Sequence, residues 1–472
     1  MQKNYRHLAL LLLITAAGAL LRFYGIEFGL PHTLCRPDES TIMDRAWQVT
    51  WGDPNPRFFN YPSLFIYMVS ALLSLRLFIP SFLNGAAGGP GFDYTTIPPD
   101  CFILARSLSA FFGIMTIPLV YLAARRLMSA KYALLAAFFI SVCYLHVRDS
   151  HFGTTDVAMT FIAVSAVYFA LRSLDTQKMR DCVISSALTG LAVSAKYSAV
   201  FAAAPLMYAV IINRKSFSPK KILSNKYVYL CMLTAVTAFV AGTPFAVFDF
   251  KTFASHFLSE VSHLQTGHSV WGEPLQYHRG WIHHALVTLP SGMGLPLLAA
   301  SIGGIFFGAA KQPHRSFVLF SFPAVLYLAA GKGYTVFARY MIPLLPFLCI
   351  GAAYFTQRFL HSTRLKPAFA LAMIALLSAP TLYRTLVFDR LIEKTDNRLV
   401  ACEWLENNLS ENTTVYQAGK PFGHALLPEN TVVFRKSRSE TKLPDCIIVP
   451  SYPLPCADVP AGIRELVEKD YD

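Results

Sequence analysis

The chain has 472 residues, of which 54% are hydrophobic and 15% charged, with a mean hydropathy of +0.42. A soluble domain carries about 25% charged residues, so this composition excludes an ordinary water-soluble globule. The formal charge of +13 needs no nucleic acid to explain it, because the basic residues gather in short loops between apolar runs, as cytoplasmic loops of membrane proteins do.

The first apolar run, 8–25, follows Lys3 and Arg6 and has the form of a signal sequence. More spans follow and no cleavage site stands out, so it reads as a retained anchor. Residues 26–61 then form a first extracytoplasmic loop. Segment 62–83 is apolar but carries Arg76 in its middle. If Lys3/Arg6 and Arg125/Arg126 are all cytoplasmic, 26–100 must begin and end outside, so either 62–83 is re-entrant or interfacial or it spans and a further crossing pairs with it. Further spans are predicted at 101–125, 132–148, 155–173, 182–197, 198–213, 226–245, 284–309, 317–331, 339–358 and 367–386. In all, about 11–13 crossings fit the bilayer's need for roughly 20 apolar residues each. The stretch 182–213 is too long for one upright helix and polar at Ser194-Ala195-Lys196-Tyr197-Ser198, so two short helices should meet there.

Residues 1–386 thus read as an all-α polytopic membrane domain, with 246–283 as its second large outer loop. Residues 387–472 differ in kind and read as a small extracytoplasmic α/β appendage. In it, 395–409 has the pattern of an amphipathic helix with Val400, Trp404 and Leu405 on its buried side. Short β-rich runs follow at Thr413–Gln417, Thr431–Phe434 and Cys446–Val449. Nine cysteines lack metal-type spacing. A Cys446–Cys456 bridge fits an oxidising compartment, and free thiols fit equally.

Several groups could carry chemistry. Arg36-Pro37-Asp38-Glu39 puts a carboxylate pair just beyond the first span, where it could deprotonate a hydroxyl at the lipid–water boundary. It also has the form of a plain helix start, with Pro at the first position and acids in the first turn. Asp156, after Thr154-Thr155, could position an acceptor, hold a divalent metal with Asp38, or cap its helix. Lys196 in the polar break, Arg339 at the opening of a helix, and Arg106 are cations within or beside apolar runs, where each could serve a site or snorkel to the interface. The loop 246–283 is rich in His and aromatic residues, of which His268 is the one singled out. The step from His263 to His268 is not a helical ligand spacing, so zinc is not expected. No glycine-rich phosphate loop in a strand–turn–helix setting occurs.

One ordered series of motifs points further. Arg22-Phe23-Tyr24-Gly25, Leu30-Pro31, Arg36-Pro37-Asp38-Glu39 and Asn55-Pro56-Arg57-Phe58-Phe59-Asn60-Tyr61-Pro62-Ser63-Leu64 are followed by Ala105-Arg106-Ser107-Leu108-Ser109-Ala110 with Gly113. Thr154-Thr155-Asp156, Gly190 with Lys196-Tyr197, and Arg339-Tyr340-Met341-Ile342-Pro343 with Pro346 complete it. Over about residues 8–360 this resembles the bacterial glycosyltransferases of the protein O-mannosyltransferase and aminoarabinose transferase superfamily, which have the GT-C fold. The tail matches only through Asp396, Arg398 and Trp404.

The resemblance implies transfer of a sugar, with inversion, from a polyprenyl-phosphate donor to an acceptor hydroxyl on a glycan, lipid or protein at the outer face of the bacterial inner membrane. Asp38 would be the general base, with Glu39 orienting it or meeting the acceptor. Asp156 matches a second acid of the family. Lys196, Arg339, Arg106 and Tyr340 would meet the donor phosphate, and His268 and Tyr61 the acceptor or sugar. Some members carry Lys directly before the Pro that here is Pro62, where this chain has Tyr61. No resident cofactor is implied with certainty, and a divalent metal remains an option. A flippase of lipid-linked sugars should show paired charges mid-span and an inverted repeat. A glycan polymerase or ligase should favour Arg/His pairs in a large outer loop.

Overall fold

The structure, a computed structural model, describes residues 2–83, 96–266, 279–363, 367–410, 412–427, 431–433 and 443–450, with isolated positions at 463, 465, 467 and 469. The chain opens with α1 (Gln2–Phe23), whose Leu12, Leu13 and Leu20 point outward. Outward leucines are what a helix shows when its solvent is lipid. After the first loop come α2 (Pro37–Thr50) and α3 (Leu64–Leu83). The membrane body continues with α4 (Cys101–Ala124), α5 (Ala130–Ser141), α6 (Tyr144–Ser150), α7 (Thr155–Thr176), α8 (Met179–Ala195) and α9 (Ala203–Asn213). Next are α10 (Pro219–Leu223), α11 (Lys226–Gly242), α12 (Phe245–Phe248), α13 (Phe250–Thr266), α14 (Gly280–His283) and α15 (Leu289–Met293). Last come α16 (Leu295–Lys311), α17 (Pro313–Lys332), α18 (Leu345–Thr363), α19 (Pro367–Ile392) and α20 (Asn397–Asn408).

Among the described residues five helices are long and apolar enough to cross a bilayer, or seven if each of two bent pairs counts as one span. The segments 64–77, 197–213 and 226–242 are apolar but shorter. The largest core joins α4, α5, α7, α17 and α18 through residues such as Ile117, Phe139, Val164, Phe322 and Phe347, all fully buried. A second core packs Ile42, Met43 and Trp47 of α2 against Phe65, Ile66 and Val69 of α3. The first half of α3 therefore spends its apolar face on α2, beside the first loop.

Three apolar stretches are broken, one of them where the sequence predicts it. The polar break in 182–213 is there: α8 ends at Ala195, Lys196 is extended, and a tight 3-10 stretch (Tyr197–Ala202) leads into α9. The runs 132–148 and 284–309, expected as single helices, are bent instead. The first turns by 56° between α5 and α6. Carbonyls released at that bend need partners, since lipid offers none. Arg22 of α1 donates to the carbonyls of Ile140 (3.1 Å) and Ser141 (3.0 Å), and Thr385 of α19 to that of Val142 (3.0 Å). The second turns by 112° at Gly294, whose φ of +83° and ψ of 139° lie where side chains are disfavoured.

The appendage carries three short parallel strands, β1 (Thr414–Gln417), β2 (Val432–Val433) and β3 (Cys446–Ile448), in the order β2-β1-β3. All three β-rich runs became strands. Helix α20 begins where expected, its N–H of Arg398 capped by the Asp396 carboxylate. Its buried face differs: Leu405 is buried, but Val400 and Trp404 are about half exposed, at 49% and 58%. The short apolar pattern fitted more than one face, and the docking surface took only Leu405. Cys456 lies outside the described residues, and so therefore does the Cys446–Cys456 pairing.

Candidate active site

Residues 36–39 set the site because two adjacent carboxylates leave the start of α2 in different directions. Proline at the first helical position and acids in the first turn favour a helix starting there. Glu39 turns inward and is fully buried. Its Oε1 and Oε2 accept from Arg106 Nε (2.9 Å) and Nη2 (2.8 Å), and Oε1 also accepts from the Gly153 N–H (2.8 Å). Arg106 Nη1 donates to the carbonyls of Ile26 and Phe28, both at 2.9 Å, and its guanidinium lies 3.9 Å from the Phe28 ring centre. A Cβ on Gly153 would sit 2.7 Å from that of Ala105 and 3.1 Å from Glu39 Oε1, so only glycine lets these segments close on the pair. Expected on the donor phosphate, Arg106 is instead fully buried with its guanidinium committed to Glu39 and the first loop.

Asp38 faces the other way and stays partly open, its side chain 23% exposed. Tyr61 donates its hydroxyl to Asp38 Oδ1 (3.0 Å), and Arg339 pairs with Oδ2. Asp156, at the start of α7, pairs with Lys196 across the break between α8 and α9. Lys196 Nζ lies 5.3 Å from the ring centre of Tyr340, the residue next to Arg339. Two cation–carboxylate pairs thus stand side by side, linked through Tyr340. The Nε atoms of Arg36 and Arg339 are buried without a hydrogen-bond partner. Burial pushes the Tyr61 hydroxyl above its usual range, reinforced by Asp156 and Glu260 nearby. Burial pulls the Arg36 guanidinium below its usual range, and Asp149 partly offsets this.

Of the residues predicted from sequence, Asp38, Asp156, Lys196, Arg339, Tyr340 and Tyr61 therefore converge. Glu39 and Arg106 form the buried support beneath them. His268 lies outside the described residues. No group of three or more His, Cys, Asp or Glu side chains placed to hold a metal occurs among the described residues.

Sequence reasoning gave no role to Arg36 itself, whose guanidinium lies 4.5 Å from the Phe152 ring centre, or to the Arg148–Asp149 pair near it. It also missed Glu260 on α13, which bears electrostatically on Tyr61, Lys196, Tyr197 and Tyr340. A signal for Glu260 existed. Phe253, Phe257 and Glu260 share one face of α13, and both phenylalanines pack edge-on against Tyr197, next to Lys196. The loop carrying Tyr61 is pinned to the same side: Tyr197 donates to the Phe59 carbonyl (2.7 Å), and His256 accepts from the Phe59 N–H (3.2 Å).

Comparison with known proteins agrees with this architecture. Residues 102–243 match the family model described as dolichyl-phosphate-mannose-protein mannosyltransferase. A search of curated proteins returns no significant match. Among solved structures, the apo oligosaccharyltransferase of Archaeoglobus fulgidus superposes with a TM-score of 0.58 at 15% identity, covering 88% of this chain and 63% of that one. ArnT from Cupriavidus metallidurans bound to undecaprenyl phosphate superposes with a TM-score of 0.56 at 14% identity, covering 88% of this chain and 85% of that one. The chain spans less than two thirds of the archaeal enzyme's length. It is a multi-pass membrane protein with the GT-C fold, and its residues 102–243 match the mannosyltransferase family model.

Proposed function

We propose that the protein transfers a single sugar, a hexose or pentose, from a polyprenyl-phosphate donor to an acceptor hydroxyl, with inversion, at the extracytoplasmic face of a bacterial inner membrane. The observation that carries this reading is the paired arrangement around Asp38. A partly exposed carboxylate is held by Tyr61 and by Arg339, whose Nε has no partner, and a second cation, Lys196, waits beside it on Asp156. The ArnT structure it resembles holds undecaprenyl phosphate, and the archaeal oligosaccharyltransferase has been seen with a dolichol-phosphate and a peptide. Both support a lipid-linked donor here.

The geometry suggests an order of events. In transfer, the bond between the sugar's anomeric carbon and the phosphate oxygen breaks as the acceptor oxygen attacks from the opposite face. The departing phosphate gains a negative charge, and fixed cations lower that barrier. Arg339 and Lys196, drawn from their carboxylates toward the phosphate, would supply them. Leaving Asp38, Arg339 also releases a carboxylate that its positive charge had held less basic. Asp38 then accepts the acceptor proton, while Tyr61 keeps it oriented. The base is thus unmasked by the donor whose transfer it assists.

Asp38→Asn preserves shape and removes the basic oxygen. In membranes given extracted polyprenyl-phosphate sugars, product formation should fall by about a hundredfold or more, the usual share of general-base catalysis. Full transfer by a normally expressed Asp38→Asn protein would sink the assignment. Lost translocation of lipid-linked sugar by protein that never transferred it would favour a flippase.

A further inference from the structure

A basic cup lies at the far end of the molecule from Asp38 and has no part in the chemistry above. It sits where α9 ends and α11 begins. Asn213 at the end of α9 donates to Ser173 Oγ (3.0 Å), near the C-terminus of α7, while Asp156 opens the N-terminus of α7. Seventeen helical residues rise about 25 Å, so the cup stands most of a bilayer's hydrocarbon depth from the candidate active site.

The cup is an open cavity of about 490 Å³ whose lining includes Arg214, Lys215, Lys221, Lys226, Asn225 and Tyr227. Local hydrogen bonds shape it. The chain turns back at Lys215 (φ +51°), the Ser216 N–H donates to the Ile211 carbonyl (2.9 Å), and Asn225 Nδ2 donates to Ser216 Oγ (3.2 Å). Tyr227 forms part of the wall, with the Arg214 guanidinium 4.0 Å and Lys226 Nζ 5.5 Å from its ring centre. Four cations line one concavity, and among the described residues no carboxylate lies within ion-pair distance of any of them.

The rim decides what kind of anion fits. Phe217 and Leu223, in the connection between α9 and α11, are 69% and 68% exposed. Beyond the rim, Tyr229, Met232, Leu233 and Val236 of α11 are each more than half exposed. A soluble anion has no use for this apolar surface. A lipid does, with its phosphate in the cup and its acyl chains along α11. Clustered cations beside a membrane helix attract anionic headgroups, and a walled cup adds a fixed position. We propose that this cup binds the phosphate headgroup of an anionic membrane lipid.

The test uses full-length protein in neutral detergent, titrated with fluorescent phosphatidylglycerol, with phosphatidylcholine and inorganic phosphate as comparison probes. Each of Arg214→Gln, Lys221→Gln and Lys226→Gln should weaken phosphatidylglycerol binding about fivefold, and the triple variant on the order of a hundredfold. Lys220→Gln, in the same basic segment but outside the cavity lining, should leave it unchanged. Gel filtration of each variant separates lost binding from lost fold, and any single variant that stays folded suffices. Unchanged binding by a folded triple variant overturns the proposal. So does an equal loss in Lys220→Gln, which would mean a diffuse positive surface. Competition by inorganic phosphate at concentrations equal to the lipid would make the ligand a soluble phosphate and overturn it too.

Discussion

Removing one partner of the Glu39–Arg106 pair should harm the protein more than removing both. Each side chain is fully buried. Glu39→Gln keeps the shape but takes away the negative charge and can return only part of the bonding to Arg106 Nε, Arg106 Nη2 and the Gly153 N–H. An uncompensated guanidinium then remains in a site closed to water. Breaking a buried ion pair from one side costs about 3–5 kcal/mol, whereas replacing both partners by apolar groups of similar volume is often close to neutral. Here the double replacement, Glu39→Met with Arg106→Met, still strands the Gly153 N–H and the carbonyls of Ile26 and Phe28. At about 1 kcal/mol for each such bond, the double variant should lose about 2–3 kcal/mol.

Reversible unfolding in bicelles of Glu39→Met, Arg106→Met and the double variant completes the cycle. The two singles should sum to about 6–10 kcal/mol, which leaves a coupling of several kcal/mol. Additivity within about 0.5 kcal/mol is how independent sites behave. Found here, it would refute the claim that this pair holds the first loop against α4.

Arg339→Lys keeps a positive charge but loses the planar fork that can grip two phosphate oxygens at once, so kcat should fall about tenfold or more, and Arg339→Gln about a hundredfold. An unchanged kcat in both would remove Arg339 from the donor site. Gly153→Ala pushes a methyl against Ala105 and Glu39 and should cost about 1–3 kcal/mol, measured by the same unfolding method. His32 is buried, its Nε2–H donating to the His424 carbonyl (2.8 Å) and its Nδ1 accepting from the Leu34 N–H (3.2 Å). Burial first, then Arg398 nearby, lowers its pKa below the usual value. The contact between first loop and appendage should therefore be intact above about pH 6.5 and weaken as the pH falls below it. Limited proteolysis of the appendage across pH 5–8 reads this out, and an identical profile in His32→Gln would count against it.

What could be read from the sequence follows from what each signal depends on. Asp38, Asp156, Lys196 and Arg339 lie at the ends or breaks of apolar runs, where a charge is costly enough to need a reason. Arg106 sits inside such a run, and the run does not reveal its partner. Only the fold shows that Glu39, 67 positions earlier, meets it. The buried face of α20 differs from its pattern for a similar reason: periodicity proposes a face, but contact with the rest of the molecule decides it. The bend at Val142–Cys143 left no mark because those residues are as apolar as their neighbours. The bend at Gly294 did leave one, in Gly294-Leu295-Pro296, a glycine and a proline inside a membrane run.

The interruptions also explain why the site lies where it does. Every break in a membrane helix releases backbone groups that lipid cannot satisfy, so breaks survive only where protein buries them. Here they cluster. The break at Lys196 delivers a cation to Asp156, and the 3-10 stretch Ala338–Leu344 delivers Arg339 and Tyr340 to Asp38 and Lys196. The bend after α5 turns α6 so that Arg148 and Asp149 come near Arg36. The bend at Gly294 ends α15, which packs on α6 through Gly292 and Leu145. Arg22, Thr381 and Thr385 all bond to backbone released around the first bend. Substituting them should therefore displace α6 and the charges it carries, although none touches Asp38. In Thr385→Val, which removes one hydroxyl from the Val142 carbonyl, activity should fall while Asp38, Arg339 and Lys196 remain in place. The pH profile of the residual activity should keep its wild-type shape. A changed profile would instead mean that the bend and the base are coupled more directly than these contacts allow.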